Sequence, residues 1–150
     1  GSDKAPCPEV GGAVLAIKEE LCDKVLLVGK EDILKEKLDK YFYDKNRIEI
    51  VPASEVIRME DAPAAAVKQK KDSSLIRCVQ LHRDGIADGI VSAGNTGAVM
   101  AASLFTYGRI KNVLRPAIAI TFPTRINPEI ILDVGANVDC SAENLLQFAK

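Results

Sequence analysis

The sequence predicts an α/β fold in which a largely parallel sheet is covered by helices, and three observations predict it. Segments with apolar residues at helical spacing alternate with short continuous apolar runs. Each apolar run is bounded by glycine, proline or small polar residues, the punctuation that βα units need. Two glycine-bearing turns, Ser92–Ala98 and Asp133–Asp139, follow such runs, where open parallel sheets gather their ligands.

The elements follow in order. Val10, Ala13, Val14, Ile17 and Leu21 recur at helical spacing after Pro8, and Val25 to Gly29 is a buried strand ending in glycine. Glu31 to Phe42 places Ile33, Leu34, Leu38 and Phe42 on one helical face; Ile48 to Ala53 is strand-like, and Pro63 to Lys70 starts another helix. Ser73 to Asp84 is helical with Leu75, Val79 and Leu81 inward, and Gly85 is its natural stop. Ala87 to Val91 is the next strand, followed by a helix over Asn95 to Tyr107. Ala117 to Phe122 and Ile130 to Val134 are too close for an intervening helix and read as an antiparallel pair. Ser141 caps a last helix, Ala142 to Ala149.

The chain has 150 residues, 47% hydrophobic and 27% charged, which suits one core and is short for two complete domains. A net charge of -1 gives no global attraction for nucleic acid. The four cysteines, Cys7, Cys22, Cys78 and Cys140, are scattered without a C-x-x-C pair and read as reduced intracellular thiols. No apolar run reaches the roughly 20 residues that cross a bilayer, and no leader opens the chain, so the expectation is a cytoplasmic protein.

Three clusters carry candidate chemistry. In Ser92-Ala93-Gly94-Asn95-Thr96-Gly97-Ala98 the glycines remove side-chain bulk, Ser92 is a further donor, and Asn95 and Thr96 either cap the helix or donate to an anion at its positive end. An ordinary capped helix start explains the same residues. In Lys70-Lys71-Asp72-Ser73-Ser74 the lysines neutralise phosphate while Ser73 and Ser74 donate, or they form a solvated cap. In Asp133-Val134-Gly135-Ala136-Asn137-Val138-Asp139 the two acids and the amide orient a ligand, hold a magnesium ion, or close a loop through Asx hydrogen bonds.

Other chemistries are weaker. His82 lies in a helix without a second histidine for a Ser-His-Asp system, and Cys140 reads as a small buried cysteine rather than a covalent nucleophile. Arg109, Lys111, Arg115 and Arg125 either meet an acidic partner or are solvated charges.

Taken together and in this order, Lys71-Asp72-Ser73-Ser74, Ser92 to Ala98 and Asp133 to Cys140 resemble the acyl-ACP:phosphate acyltransferase (PlsX) family of fatty acid and phospholipid synthesis. Gly1-Ser2-Asp3-Lys4-Ala5-Pro6 resembles the tail of that family's Gly-Gly-Asp-x-Ala-Pro signature, with Ser2 in place of a glycine; Val51 to Val56 and Asn144 to Ala149 extend the match. The resemblance spans the chain and implies that residues 1–150 are the N-terminal portion of a single α/β domain, without its first strand and C-terminal half. It implies a three-layer α/β/α sandwich like the isocitrate and isopropylmalate dehydrogenases, and a homodimer.

The activity implied is transfer of a long-chain acyl group from acyl carrier protein to inorganic phosphate, giving acyl phosphate, with no cofactor and no metal. Asn95, Thr96 and Lys71 are then the catalytic candidates. Asp3, Ser73, Ser74, Ser92, Gly94, Gly97, Asp133, Asn137 and Asp139 are candidates for phosphate or substrate binding. Peripheral membrane association and handover of the product to a membrane glycerol-3-phosphate acyltransferase follow from the same resemblance, and nucleic acid is not an expected partner. Two other classes remain open: a phosphotransacetylase-like enzyme using acyl-CoA, and a non-catalytic interaction module.

Overall fold

A computed structural model describes residues 1–135, 137 and 139–149. Ala136 and Val138 of the third cluster, and Lys150, lie outside the described residues. The chain is a mixed α/β protein of two compact units, Gly1–Thr106 and Tyr107–Lys150.

The first unit opens with α1 (Cys7–Lys18), with Glu9 in its first turn and Lys18 in its last, the charge order that the helix dipole favours. Val10, Ala13, Val14 and Ile17 form its buried face, as the spacing predicts, whereas Leu21 lies beyond the helix and is exposed. β1 (Val25–Gly29) leads into α2 (Glu31–Leu38), which buries Leu34 and Leu38. The expected extension to Phe42 does not form: Asp39 caps the helix, the Tyr41 N–H bonds the Leu38 carbonyl at 2.9 Å, and Phe42 is 98% exposed.

β2 (Ile48–Pro52) pairs with β1 in parallel, Val25 opposite Ile48 through Gly29 opposite Pro52. Leu27 and Ile48 then complete one core with the buried residues of α1 and α2. Arg47, just before β2, donates to the carbonyls of Asp23 at 2.9 Å and Cys22 at 2.7 Å, which ties the entry of β1 to that of β2.

α3 (Pro63–Gln69), α4 (Ser74–Arg83) and α5 (Thr96–Tyr107) share a second core of Ile57, Ala66, Val67, Ile76, Val79, Ala98 and Ala102. Three alanines in that set let the helices approach closely. Gly85 ends α4 as expected, at φ +71°, with the Ile86 N–H returning to the Leu81 carbonyl at 2.9 Å. Ala87 to Val91 is a correction: no ladder forms there among the described residues, and Val91 is 98% exposed. A strand exists only through its hydrogen-bonded neighbour, and none of the described strands pairs with this segment.

The second unit holds β3 (Ala119–Phe122) and β4 (Glu129–Leu132), an antiparallel pair with Ala119 opposite Leu132, and then α6 (Ala142–Phe148). Asp133, at φ +61°, turns the chain out of β4, so that strand stops short of the expected Val134. Ser141 caps α6 in a full capping box: its Oγ accepts the Asn144 N–H at 3.2 Å, and the Asn144 side chain accepts the Ser141 N–H at 3.1 Å. The described sheets are therefore one parallel and one antiparallel pair of two strands each, not one largely parallel sheet. No helix among the described residues is long and apolar enough to cross a membrane.

Two helical glycines should respond oppositely to alanine. A Cβ on Gly12 meets nothing within 4 Å, whereas one on Gly97 falls 2.8 Å from Cγ of Pro63. In urea unfolding, Gly12→Ala is expected to stabilise by about 0.5–1 kcal/mol, and Gly97→Ala to destabilise, with partial rescue by Pro63→Ala. Stabilisation by Gly97→Ala would contradict the close approach of α5 to α3.

Candidate functional site

Asn95 organises the turn that opens α5. Its side chain is almost enclosed, at 9% exposure, and each end is engaged. Oδ1 accepts the Ala98 N–H at 3.0 Å, which makes Asn95 the N-cap of α5. Nδ2 donates toward three carbonyls of one loop, those of Arg58 at 3.3 Å, Met59 at 3.0 Å and Asp61 at 3.1 Å. An amide has two N–H donors, so this set uses both, and a phosphate oxygen could gain an Asn95 donor only by displacing the loop.

The groups that remain for an anion sit around it. Thr96 is exposed, and the N–H groups of Thr96 and Gly97 lie in the first turn, where helix geometry provides no intrahelical acceptor. Ser92 is exposed, its Oγ accepting the Gly94 N–H at 3.3 Å. Gly94 lies against the start of the chain: a Cβ there would be 3.6 Å from the carbonyl of Gly1. The structure thus brings Gly1 to Gly94 of the Ser92–Ala98 turn, while Ser2 Oγ is hydrogen-bonded to Glu9 and Asp3 is exposed. Gly97 has a packing reason of its own, the contact with Pro63.

The lysine–serine cluster at the start of α4 is pinned by residues 54 and 55. Glu55 bridges Ser73 in parallel register, its carbonyl accepts the Ser74 N–H at 3.2 Å, and its carboxylate accepts the Asp72 N–H at 2.9 Å. Asp72 in turn accepts from the hydroxyl of Ser54 at 2.6 Å and its N–H at 2.9 Å; these bonds hold its carboxyl below the ordinary aspartate range. Ser73 is 0% exposed and its Oγ has no partner among the described residues, while Lys71 is exposed and Ser74 half-buried.

Lys70 joins this cluster to the first. Its ammonium pairs with the Asp61 carboxylate and donates to the Val56 carbonyl at 2.9 Å. Asp61 also accepts the Arg58 N–H at 2.8 Å, and Lys70 first, then that N–H, draw its carboxyl below the ordinary range. Asp61 is the residue that motif reasoning missed. Its signal is faint: an acid two positions before a helix-opening proline, in Met59-Glu60-Asp61-Ala62-Pro63.

Asp133, Asn137 and Asp139 belong to the second unit. The Asp133 carboxylate accepts the Asn137 N–H at 3.2 Å, its Nδ2 at 2.9 Å and the Cys140 thiol at 3.6 Å, so it closes its own loop. Asn137 Nδ2 also reaches the Pro116 carbonyl at 3.0 Å, and Arg115 donates to the Asp139 carbonyl at 3.1 Å. An open cavity of about 680 Å³ lies here, lined by Leu114, Arg115, Asp139, Cys140, Ser141 and Asn144. Burial first, then the Asp133 carboxylate, push the Cys140 thiol up, which disfavours a nucleophilic role. Among the described residues no three His, Cys, Asp or Glu side chains converge as metal ligands.

Two outcomes follow from this geometry. Asn95→Ala removes the cap and the side-chain donor of the Met59 and Asp61 carbonyls, while the Arg58 carbonyl keeps the Asp61 N–H at 3.3 Å; unfolding should show a loss of about 2–3 kcal/mol, and an unchanged midpoint would contradict the clamp. Burial raises the Cys78 thiol to about 11, so at about pH 8 only about one in a thousand is thiolate. Alkylation followed by mass spectrometry should therefore modify exposed Cys7 well before Cys78; equal rates would place Cys78 at the surface.

Comparisons with known proteins bear on the whole of this arrangement. The model of the family described as "Fatty acid synthesis protein" matches residues 1–150. The chain is 52% identical over 150 residues to the phosphate acyltransferase of Dictyoglomus turgidum, covering 99% of this chain and 44% of that protein. It is 51% identical over 148 residues to that of Fusobacterium nucleatum (98% and 45%) and 46% identical over 149 residues to that of Clostridium tetani (99% and 45%). It thus spans slightly less than half the length of these curated relatives. With every described turn of the candidate site inside the matched region, the chain belongs to the fatty acid synthesis protein family.

Proposed function

We propose that the full-length gene product is a phosphate acyltransferase that moves a long-chain acyl group from acyl carrier protein to inorganic phosphate and so feeds phospholipid synthesis. The observation that carries this reading is the turn at Ser92–Gly97, where exposed hydroxyls and first-turn N–H groups stand on a backbone locked by Asn95. The printed names of the relatives supply the reaction class.

The chemistry asks little of titrating side chains. An oxygen of dianionic phosphate attacks the thioester carbonyl carbon, the C–O bond forms, and charge collects on the carbonyl oxygen. Collapse breaks the C–S bond, and the departing thiolate takes up the proton that the phosphate sheds. Positioning the phosphate and stabilising the oxyanion are the main demands, and fixed N–H and hydroxyl donors serve both. In this reading Thr96, Ser92 and the amides of Thr96 and Gly97 are those donors, and Gly94 admits the anion. Asn95 acts through the turn it holds.

Lys71 and Ser74 add charge and a hydroxyl from the start of α4, with Ser73 buried beside them, and Asp3, two residues from the Gly1 that meets Gly94, is a further substrate-binding candidate. Asp133, Asn137 and Asp139, in the second unit, are the further substrate-binding candidates of this reading. The reading carries the family's three-layer sandwich and homodimer with it. It also places the enzyme at the cytoplasmic face of the membrane, where a lipid-like product would pass to a membrane glycerol-3-phosphate acyltransferase.

The test is release of free carrier-protein thiol from long-chain acyl carrier protein, with and without phosphate, by the full-length product and by residues 1–150 alone. Phosphate-dependent release by the full-length product is the expected result, and Thr96→Ala should lower kcat/KM by about 10²-fold. Release that ignores phosphate, or none, would overturn the reading. A preference for acyl-CoA would move the enzyme to the phosphotransacetylase-like class.

A further inference from the structure

We infer that Asp61 is a positioning residue for the phosphate-binding turn, holding that turn through Asn95 and tying it to the start of α4 through Lys70. The inference rests on the acyltransferase reading for its substrate, and on the loop from Val56 to Asp61 for its geometry. The Asp61 carboxylate accepts the Arg58 N–H at 2.8 Å, which closes the loop on itself. The same carboxylate pairs with the Lys70 ammonium, and Lys70 donates to the Val56 carbonyl at 2.9 Å, which closes the loop a second time from outside. So folded, the loop turns the carbonyls of Arg58, Met59 and Asp61 toward one point, and Asn95 Nδ2 occupies it.

The order of dependence runs outward from Asp61. A carbonyl presents a useful acceptor only when its peptide plane is fixed, and three planes from one short loop stay convergent only while that loop is closed. Without the carboxylate, the loop loses the bond from the Arg58 N–H and the tie of Asp61 to Lys70 together, and is closed at Arg58 by the longer main-chain bond from the Asp61 N–H to the Arg58 carbonyl, at 3.3 Å, alone. Asn95 would keep its cap on Ala98 but lose the acceptors that fix its amide, and the first-turn donors at Thr96 and Gly97 would no longer be held in place. Asp61 touches none of the proposed reacting atoms. Its effect should therefore appear in how well phosphate is held rather than in the folding of α5 or in recognition of the acyl donor.

Steady-state kinetics of the full-length product separate these outcomes. Asp61→Asn keeps the side-chain shape and the main-chain carbonyl while removing the charge. It should raise the KM for phosphate by about tenfold, with kcat and the KM for acyl carrier protein within about twofold. Lys70→Met attacks the same link from the other side and should shift the phosphate KM in the same direction. The double variant should be no worse than the stronger single one, because both break one connection. An unchanged phosphate KM in soluble, folded variants would overturn the inference while leaving the acyltransferase reading intact. Loss of folding in both single variants would make the pair a brace only and overturn it as well. A wild-type protein without phosphate-dependent thiol release would instead remove the reading on which it rests.

Discussion

The first unit depends on one constraint above the others, which is that loop carbonyls must find donors from side chains. Residues 58–61 have no ladder or helix of their own, and a shielded carbonyl without a partner costs about 1–3 kcal/mol. Asn95 donates toward three of them from a position just before α5, and for Met59 and Asp61 it is the donor that the described contacts show, so the loop and the helix start support each other. Arg47 solves the same problem on the other side of the unit, where it donates to the carbonyls of Cys22 and Asp23 between α1 and β1. Both clamps join segments separated in sequence, at modest cost per residue immobilised.

This constraint separates the roles of polar residues that look alike in the sequence. Asn95 and Thr96 are neighbours with similar capping chemistry, yet one is enclosed and committed while the other is exposed. Ser73 and Ser74 are neighbours too; the hydroxyl of the first is enclosed without a partner among the described residues, and the N–H of the second is spent on Glu55. Donor chemistry alone would treat each pair as interchangeable. What distinguishes them is which member the helix start turns inward, and this follows from how α4 and α5 lie on the core around Val79, Ala98 and Ala102.

Local chemistry was legible in the sequence, and pairing between segments was not. β1 was readable to the residue, because a continuous apolar run ending in glycine has few alternatives. Ser141 was readable as a cap, and Gly85 as a stop, for equally local reasons. Ala87 to Val91 has the composition of a strand but lacks a ladder partner among the described strands, and composition carries no information about partners. Phe42 and Leu21 keep helical spacing past the point where their helices have ended. The same limit applies to the candidate site: its motif residues were visible as a row of donors, whereas Asp61 became visible only when the loop was folded.

The arrangement around Asn95 also bears on electrostatics. Three carbonyl oxygens directed at the start of a helix would cancel the partial positive charge on which anion binding there depends, since each presents the negative end of a peptide dipole. The amide Nδ2 stands between those oxygens and the first turn of α5 and absorbs them as hydrogen-bond acceptors, while Oδ1 takes only the deeper Ala98 N–H. The first-turn donors at Thr96 and Gly97 are not needed to satisfy those carbonyls. An aspartate in place of Asn95 could still cap the helix, but it would set a fixed negative charge against the same oxygens and remove the donors that hold them. A side chain with one acceptor and two donors meets both demands at this position, which is a physical reason for asparagine here rather than any other N-capping residue.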